Sequence, residues 1–240
     1  MTQAVTVIIY SLAQTRIPCG QQAYWQLVNS PRITNPAMNP DGSVAFFDRQ
    51  FQQQVRDHDF KLNPFELAAL PHLRGRVLDF GCGLGNLAMA AAQRGCSVVA
   101  MDGSRAAINH LQQRAAAESL QVEAIEADLR NHEISEDFDC VVSIGLLMFF
   151  DCPTALRVLT MLQAHVRPGG IAVINILIEG TTYLDMFQPD NYCLFPRTET
   201  TSRFQDWNII HSEFRDFDAP DRCIKSFVTL IAQKPGQQAP

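Results

Sequence analysis

Short apolar runs separated by helical or polar stretches dominate the chain from position 76 onward. These runs predict strands, because they are rich in β-branched residues and bounded by glycine, proline or polar residues. The predicted strands are Arg76–Phe80, Ser97–Met101, Gln121–Glu126, Phe138–Ser143 and Ile171–Leu177. Helical spacing is found in Asn86–Arg94, Arg105–Glu118 and Pro153–Val166, with Ser104 as the N-cap of the second of these helices. Strands that alternate with helices predict an α/β fold with a parallel, doubly wound sheet.

The two flanks of this region follow different patterns. Upstream, Val44–His58 has the spacing of an amphipathic helix, and Asn63-Pro64 begins a short helix over Phe65–Leu70. Downstream, Trp207–Phe217 and Lys225–Gln233 are predicted strands with no helix between them. We therefore expect seven strands, mostly parallel, with an antiparallel edge formed by the C-terminal part of the chain.

A glycine-rich loop follows the first strand of the alternating region. The segment Asp79-Phe80-Gly81-Cys82-Gly83-Leu84-Gly85-Asn86 runs from an apolar strand into a helix of small residues. Glycines allow a sharp turn and a close approach of ligand to backbone, and the helix N-terminus favours a negative group. The spacing is G-x-G-x-G, whereas the dinucleotide fingerprint is G-x-G-x-x-G. A tight strand–helix turn without a ligand is the alternative explanation.

Composition and charge exclude several classes of protein. The net charge is −6 and there is no run of Lys and Arg, which argues against nucleic acid as a partner. No apolar stretch is long enough to cross a membrane. The seven cysteines lack CxxC spacing, so we expect no disulfide framework and no metal site, in a cytoplasmic protein.

The pattern D-x-G-x-G-x-G resembles motif I of the class I S-adenosylmethionine-dependent methyltransferases, which have a Rossmann-like fold. Asp102, at the end of the second strand, and Arg167-Pro168-Gly169-Gly170, before the fifth, are also similar to that superfamily. The resemblance covers about residues 61–233. Within it, the loop and the segment Phe204–Ile210 look like those of the TehB-type tellurite-resistance and small-molecule methyltransferases.

The resemblance implies a set of residues that bind S-adenosylmethionine and release S-adenosylhomocysteine. The loop backbone would contact the methionine part of the cofactor, Asp79 would place its ammonium group, and Asp102 would accept hydrogen bonds from the ribose hydroxyls. Asp128 would face the adenine amino group, with Leu129 against the ring. The full set is Asp79, Gly81, Cys82, Gly83, Gly85, Asn86, Asp102, Gly103, Ser104, Asp128, Leu129, Gly145 and Leu146.

The expected reaction is methyl transfer to a small molecule by direct in-line displacement. No histidine lies near the ends of the fourth or fifth strand, which favours a sulfur, selenium, tellurium or amine nucleophile over one that needs a strong base. The strand-four end lacks the Asn/Asp-Pro-Pro-Tyr/Phe motif of enzymes that methylate bases. Two other classes remain open: a non-catalytic module that binds the same cofactor, and an NAD-dependent oxidoreductase.

The acceptor is expected to meet an aromatic insertion after the fifth strand. Residues 179–204 are rich in aromatic and sulfur side chains, and an insertion there lies beyond the carboxyl ends of the strands. The candidates for a substrate lid are Tyr183, Met186, Phe187, Tyr192 and Arg197. A hydrophobic cap without substrate contact is the alternative. The remaining organisation is an N-terminal arm over residues 1–43 and one methyltransferase domain over 44–240, acting as a monomer or homodimer.

Overall fold

A seven-stranded sheet forms the centre of the structure, a computed structural model that describes residues 42–236. The predicted arm over residues 1–43 falls almost wholly outside this range and stays a prediction. In chain order the strands are β1 (Arg76–Phe80), β2 (Ser97–Asp102), β3 (Val122–Glu126), β4 (Phe138–Ile144), β5 (Val166–Leu177), β6 (Asn208–Asp218) and β7 (Ile224–Gln233). Their order across the sheet is β3-β2-β1-β4-β5-β7-β6.

Six helices accompany the sheet within the described range: α1 (Gly42–Asp57), α2 (Pro64–Ala69), α3 (Asn86–Gln93), α4 (Arg105–Ala117), α5 (Cys152–Ala164) and α6 (Glu199–Arg203). Local chemistry fixes their starts. The Ser104 hydroxyl accepts a hydrogen bond from the Ala107 N–H, as predicted, and Asn63 and Glu66 close a capping box at α2. None of these helices is long and apolar enough to cross a bilayer.

The strand pairing confirms the predicted fold class. Strands β1 to β5 pair in parallel, and β7 pairs antiparallel with both β5 and β6. Side chains alternate between two apolar layers, so that Leu78 and Val141 lie in one core while Val77 and Cys140 lie in the other. Helices cover both faces, which leaves the carboxyl ends of the parallel strands open as the position for a site.

The Pro168-Gly169-Gly170 segment corrects one sequence prediction. It lies within the fifth strand and not before it, because β5 already begins at Val166. The pairs Phe138–Val166 and Cys140–Ile171 flank a register shift, so that one residue of β4 lies opposite a four-residue bulge in β5. Gly169 has a φ of +76°, which is the left-handed conformation that the bulge needs.

A disulfide overturns the expectation that the cysteines stay unpaired. Cys152, at the start of α5, is bonded to Cys193, 41 residues later, with a Cα–Cα distance of 4.7 Å. The Cys193 N–H also donates to the Met148 carbonyl at 3.1 Å. The chain after β5 therefore folds back over the loop that follows β4, and this return brings together two cysteines that are distant in sequence. Cys82, Cys96 and Cys140 are free.

Candidate functional site

A cavity of about 820 Å³ opens at the carboxyl ends of the parallel strands. Loops after four consecutive parallel strands contribute to its wall: 81–84 after β1, 103–105 after β2, 127–130 after β3 and 145–146 after β4. Asn175 of β5 completes the floor, and α1 and α2 form the opposite wall. Such a crevice is where open α/β sheets bind ligands.

The structure brings the predicted cofactor residues together in this cavity. All of them except Gly85 belong to its wall. Gly85 is instead the N-cap of α3, with a φ of +70°, and a Cβ at that position would lie 2.4 Å from a methyl carbon of Leu111. The third glycine of the motif therefore allows close helix–helix packing, and its expected contact with the cofactor stays a prediction.

The other two glycines are also explained by close contacts within the protein. A Cβ on Gly81 would lie 2.9 Å from the Leu146 side chain, and one on Gly83 would lie 3.1 Å from the Phe51 ring. Both glycines have positive φ, of +89° and +52°. The glycines alone thus fit a tight turn as well as a ligand loop, and the argument for a ligand rests on the charged groups around them.

Asp102 holds the glycine loop in place. One of its carboxylate oxygens accepts the Gly83 N–H at 2.9 Å, and the other accepts the Ser104 N–H at 2.9 Å. Each oxygen retains a further lone pair that can accept a hydrogen bond from a ligand hydroxyl. The Ser104 hydroxyl in turn donates to Asp48 of α1, which ties that helix to the mouth of the cavity.

Three carboxyl groups at the floor carry perturbed pKa values. Burial, together with the charges of Glu66 and Asp102, raises the pKa of Asp79 to about 8. Burial also raises the pKa of Glu66 to about 7, although a hydrogen bond from the Asn63 N–H acts to lower it. Burial raises the pKa of Asp102 as well, and the hydrogen bonds from the Ser104 and Gly83 N–H groups act in the opposite direction. Clustered carboxyl groups with shifted pKa values indicate a functional site.

Positive charge is lacking at this end of the cavity. No residue of the described chain donates a hydrogen bond to the Asp79 side chain. The cationic side chains in the described wall are Arg105 and Arg130, and both are engaged beside β3: Arg105 pairs with Glu126 at 2.8 Å, and Arg130 donates to the Phe149 carbonyl at 3.1 Å. A buried, unpaired carboxylate is costly, so the floor is suited to a cationic ligand.

S-adenosylmethionine fits this donor and charge pattern. Its sulfonium and ammonium groups are both cationic, and the carboxylates of Asp79 and Glu66 lie where cationic groups would be stabilised. Asp102 and Asp128 stand at the ends of successive strands, where ribose and base could each meet a carboxylate. An NAD pyrophosphate, in contrast, would bring two negative charges to the same floor.

The five lid candidates lie in the segment after β5, outside the described wall of the cavity. None of them is among the described residues of the cavity wall, to which their segment contributes Asn191 instead. Met186 and Phe187 are buried in an apolar cluster, and Tyr192 stacks on Phe187 at 4.8 Å. Tyr183 lies 4.4 Å below the Lys225 ammonium, and Arg197 lies over the Phe214 ring. These contacts describe packing within the segment, and the predicted contact of its side chains with substrate stays a prediction.

Several wall residues were missed by the sequence analysis. They are Phe47, Gln50, Phe51 and Gln54 of α1, Asn63, Phe65 and Glu66 at α2, Arg130, Phe149, Asn175 and Phe227. The apolar stripe of α1 and the capping box of α2 were visible as helix features, but nothing local in the sequence places them over a site. No group of His, Cys, Asp and Glu in residues 42–236 is arranged to hold a metal ion.

Comparison with known proteins identifies the domain. Residues 77–170 match a methyltransferase-domain family. The chain is 30% identical over 167 residues to hemagglutinin 1 of Eikenella corrodens, covering 67% of this chain and 55% of that protein. It is 25% identical over 166 residues to a probable S-adenosyl-L-methionine-dependent methyltransferase TehB of Haemophilus influenzae, covering 66% of this chain and 57% of that protein. The chain thus spans little more than half the length of these relatives.

Solved structures agree with the fold. The TehB crystal structure from Haemophilus influenzae matches with a TM-score of 0.64 at 19% identity, over 80% of this chain and 67% of that one. The N-methyltransferase NodS from Bradyrhizobium japonicum, in complex with S-adenosyl-L-homocysteine, matches with a TM-score of 0.63 at 18% identity, over 81% of this chain and 100% of that one. With the motif and the sheet order, these matches show that the chain contains a methyltransferase domain of the class I S-adenosylmethionine-dependent type and is similar to the TehB type.

Proposed function

We propose that this protein transfers a methyl group from S-adenosylmethionine to a small-molecule acceptor. The observation that carries the proposal is the set of carboxyl groups, Asp79, Glu66 and Asp102, at the floor of the large cavity, with no cationic partner among the described residues there. The comparisons identify a methyltransferase domain, and the activity of the whole protein is the further step proposed. The relatives named above are longer than this chain.

The residues of the cavity would bind and orient. The cofactor supplies an electrophilic methyl group on a positively charged sulfur. Asp79 would hold the ammonium group, Asp102 the ribose hydroxyls and Asp128 the adenine amino group, while Leu129 would pack against the ring. Asp128 already shapes its own turn by accepting the Arg130 N–H at 3.2 Å, which fixes the carboxylate at the strand end.

Exclusion of water and alignment would provide the rest of the catalysis. Phe47 of α1 packs edge-on against Phe149 with ring centroids 4.9 Å apart, and the Phe51 ring covers Gly83. These rings bring an apolar cover to the mouth of the cavity. A closed, oriented site favours in-line displacement without strong acid–base chemistry. No histidine belongs to the described part of the wall, which supports a soft nucleophile or an amine as acceptor.

A direct experiment separates catalysis from binding alone. The protein is incubated with S-adenosylmethionine carrying a labelled methyl group and a panel of thiol, selenol, tellurite and amine acceptors, and S-adenosylhomocysteine is quantified by mass spectrometry. The proposal predicts acceptor-dependent product formation that Asp79→Asn abolishes. Tight cofactor binding without turnover on any acceptor would favour the regulatory module instead. The expected cytoplasmic location, the oligomeric state and the absence of nucleic-acid or membrane partners stay predictions.

A further inference from the structure

One side of the cavity is not used by the predicted cofactor residues. Those residues come from β1, β2, β3 and β4 with the loops that follow them, whereas α2, β5 and β7 contribute Glu66, Asn175 and Phe227. Because all of them line one continuous cavity, the second group marks the part left for the methyl acceptor. The inference below rests on the proposed function and concerns the chemistry of that acceptor.

Asn175 carries an amide oxygen with no hydrogen-bond partner. The side chain is 1% exposed, and its Oδ1 atom is buried and unpaired in the described structure. The amide nitrogen donates to the Val228 carbonyl at 3.3 Å and to the Thr229 hydroxyl at 3.0 Å. A carbonyl can only accept, so the nitrogen must face β7 and the oxygen is the free atom. A buried acceptor left unpaired is unfavourable and calls for a donor.

Glu66 presents a second unpaired acceptor from the opposite wall. Its Oε2 atom accepts the Asn63 N–H at 2.7 Å, which closes the capping box and fixes the side chain. No residue in the described range donates to Oε1. Phe65, the neighbouring residue, is 5% exposed and anchors the short helix in the apolar cluster. The carboxylate is therefore held on a fixed element with one oxygen available.

The Asn175 side chain lies on the same face of the sheet as Asp79. Asp79 pairs with Val142 of β4, and Asn175 pairs with Ile144 of the same strand, so that Asp79 and Asn175 flank β4 on either side. Two strand spacings across the sheet and two residues along it place the backbones of Asp79 and Asn175 roughly 12 Å apart. That span leaves room for a cofactor group at Asp79 and a separate small group near Asn175.

The surroundings favour a cationic or N–H-bearing group over an anionic one. Phe65 and Phe227 stand next to the acceptors with ring centroids 5.0 Å apart, and aromatic faces stabilise ammonium groups. Arg105 and Arg130 are both engaged at the β3 end. A thiolate, selenide or oxyanion at this position would face the Glu66 and Asp79 carboxylates without a cation among the described wall residues, whereas an amine would donate to them.

We propose that Glu66 and Asn175 form an acceptor-selecting pair that binds a primary or secondary amine as the methyl acceptor, with Glu66 as the group that takes up its proton. An ammonium substrate donates N–H bonds to Oε1 of Glu66 and Oδ1 of Asn175. One N–H bond then breaks, its electron pair stays on nitrogen as the lone pair, and an O–H bond forms at Oε1. The resulting carboxylic acid later returns the proton to water.

The pKa of Glu66 supports this role. Burial raises that pKa to about 7, so the carboxyl group exchanges a proton near neutral pH. The titratable group coupled with it is Asp79, whose own pKa lies at about 8.

Matched probes test the selection without turnover. The protein is saturated with S-adenosylhomocysteine, and binding of 2-phenylethylamine, 2-phenylethanethiol and 2-phenylethanol is measured by calorimetry. These probes share an aryl group for the aromatic wall and differ only in the head group. We expect the amine to bind about tenfold or more tightly than the other two, as expected for hydrogen bonds to a charged group. Equal affinities, or no binding of any probe, would overturn the proposal.

Substitutions test whether Glu66 and Asn175 cause the preference for the amine probe. Glu66→Gln keeps a side chain that can complete the capping box but removes the charge, and we expect about a tenfold loss of amine affinity with alcohol affinity unchanged. Asn175→Leu should weaken amine binding similarly. Thr229→Val is the matched control, since it removes a partner of the Asn175 nitrogen and leaves the free oxygen; amine affinity should stay within about twofold. An unchanged amine affinity in Glu66→Gln would refute the proposal that Glu66 and Asn175 select the amine.

Separate measurements of cofactor binding and of amine binding distinguish failure of this proposal from failure of the methyltransferase assignment. Calorimetry first reports binding of S-adenosylhomocysteine alone, and failure at that step counts against the methyltransferase assignment. Binding of the product cofactor followed by a preference for the thiol refutes only the amine selection. For an amine that is methylated, Glu66→Gln should lower kcat/KM for the amine about tenfold or more beyond any change in its affinity for S-adenosylhomocysteine, which the first calorimetric step measures separately.

Discussion

Asp79→Asn should stabilise the ligand-free protein at pH 8 while weakening its binding of the cofactor. The Asp79 side chain is 5% exposed, and no described residue donates a hydrogen bond to it. Its pKa, raised to about 8 chiefly by burial and then by Glu66 and Asp102, means that the folded protein holds the proton more tightly than the unfolded chain does. Asparagine removes the buried charge and keeps the shape.

The pH dependence follows from linkage. A carboxyl group with a raised folded-state pKa contributes most to stability below its unfolded value near pH 4, and that contribution is lost as pH rises toward about 8. At about 1.4 kcal/mol per pKa unit, the full shift sets an upper limit of about 5 kcal/mol at pH 8. Water that reaches the cavity reduces this, and we expect about 2 kcal/mol.

Urea unfolding at pH 5, 6.5 and 8, followed by circular dichroism, measures this effect. The native protein should lose stability from pH 5 to pH 8, because Glu66 contributes in the same direction as Asp79. Asp79→Asn should flatten the slope and exceed the native protein at pH 8. Its affinity for S-adenosylmethionine should fall about tenfold or more. A variant that is less stable than the native protein at pH 8, or an unchanged slope, would refute the reasoning.

Four further predictions address the loop, the ribose contact, the disulfide and the N-terminal segment. Gly85→Ala should destabilise the fold by about 3 kcal/mol in thermal unfolding, because the new methyl group overlaps a leucine of α4, while Gly95→Ala, with positive φ but open space around it, should lose only about 1 kcal/mol. Asp102→Ala should weaken cofactor binding by roughly 1–3 kcal/mol in calorimetry, with added loss of order in the glycine loop. Cys193→Ser should lower stability by up to about 4 kcal/mol under oxidising conditions and have little effect in reductant. Deletion of residues 1–37 should leave a cooperative thermal transition, since both central cores are built from later residues.

The parts of the fold that depend on local pattern were predictable from sequence. Strand β1, the glycine loop and the Ser104 cap follow from residue types within a few positions, and each is found in the structure at the predicted place. The antiparallel edge was also predictable, because two strands without an intervening helix have no means of a parallel crossover.

The remaining features depend on contacts between distant residues. In the sequence, nothing distinguishes Asn175 from an ordinary strand residue. Only the structure shows that its side-chain amide nitrogen donates hydrogen bonds to β7. Cys152 and Cys193 meet only because the segment after β5 returns over the loop after β4. The packing of Phe187 and Tyr192 in one apolar cluster likewise depends on distant residues, and their expected contact with substrate stays a prediction.

Proton release on cofactor binding tests the central claim that carboxyl groups at the cavity floor hold S-adenosylmethionine. Asp79 and Glu66 have pKa values of about 8 and about 7, so both are partly protonated at pH 7 in the ligand-free protein. A cationic ligand favours their ionised forms. Calorimetric titration at pH 7 in two buffers of different ionisation enthalpy should show release of about half a proton or more per cofactor bound, and Asp79→Asn should diminish it. Binding without proton release, proton uptake, or preferential binding of NAD would contradict the account.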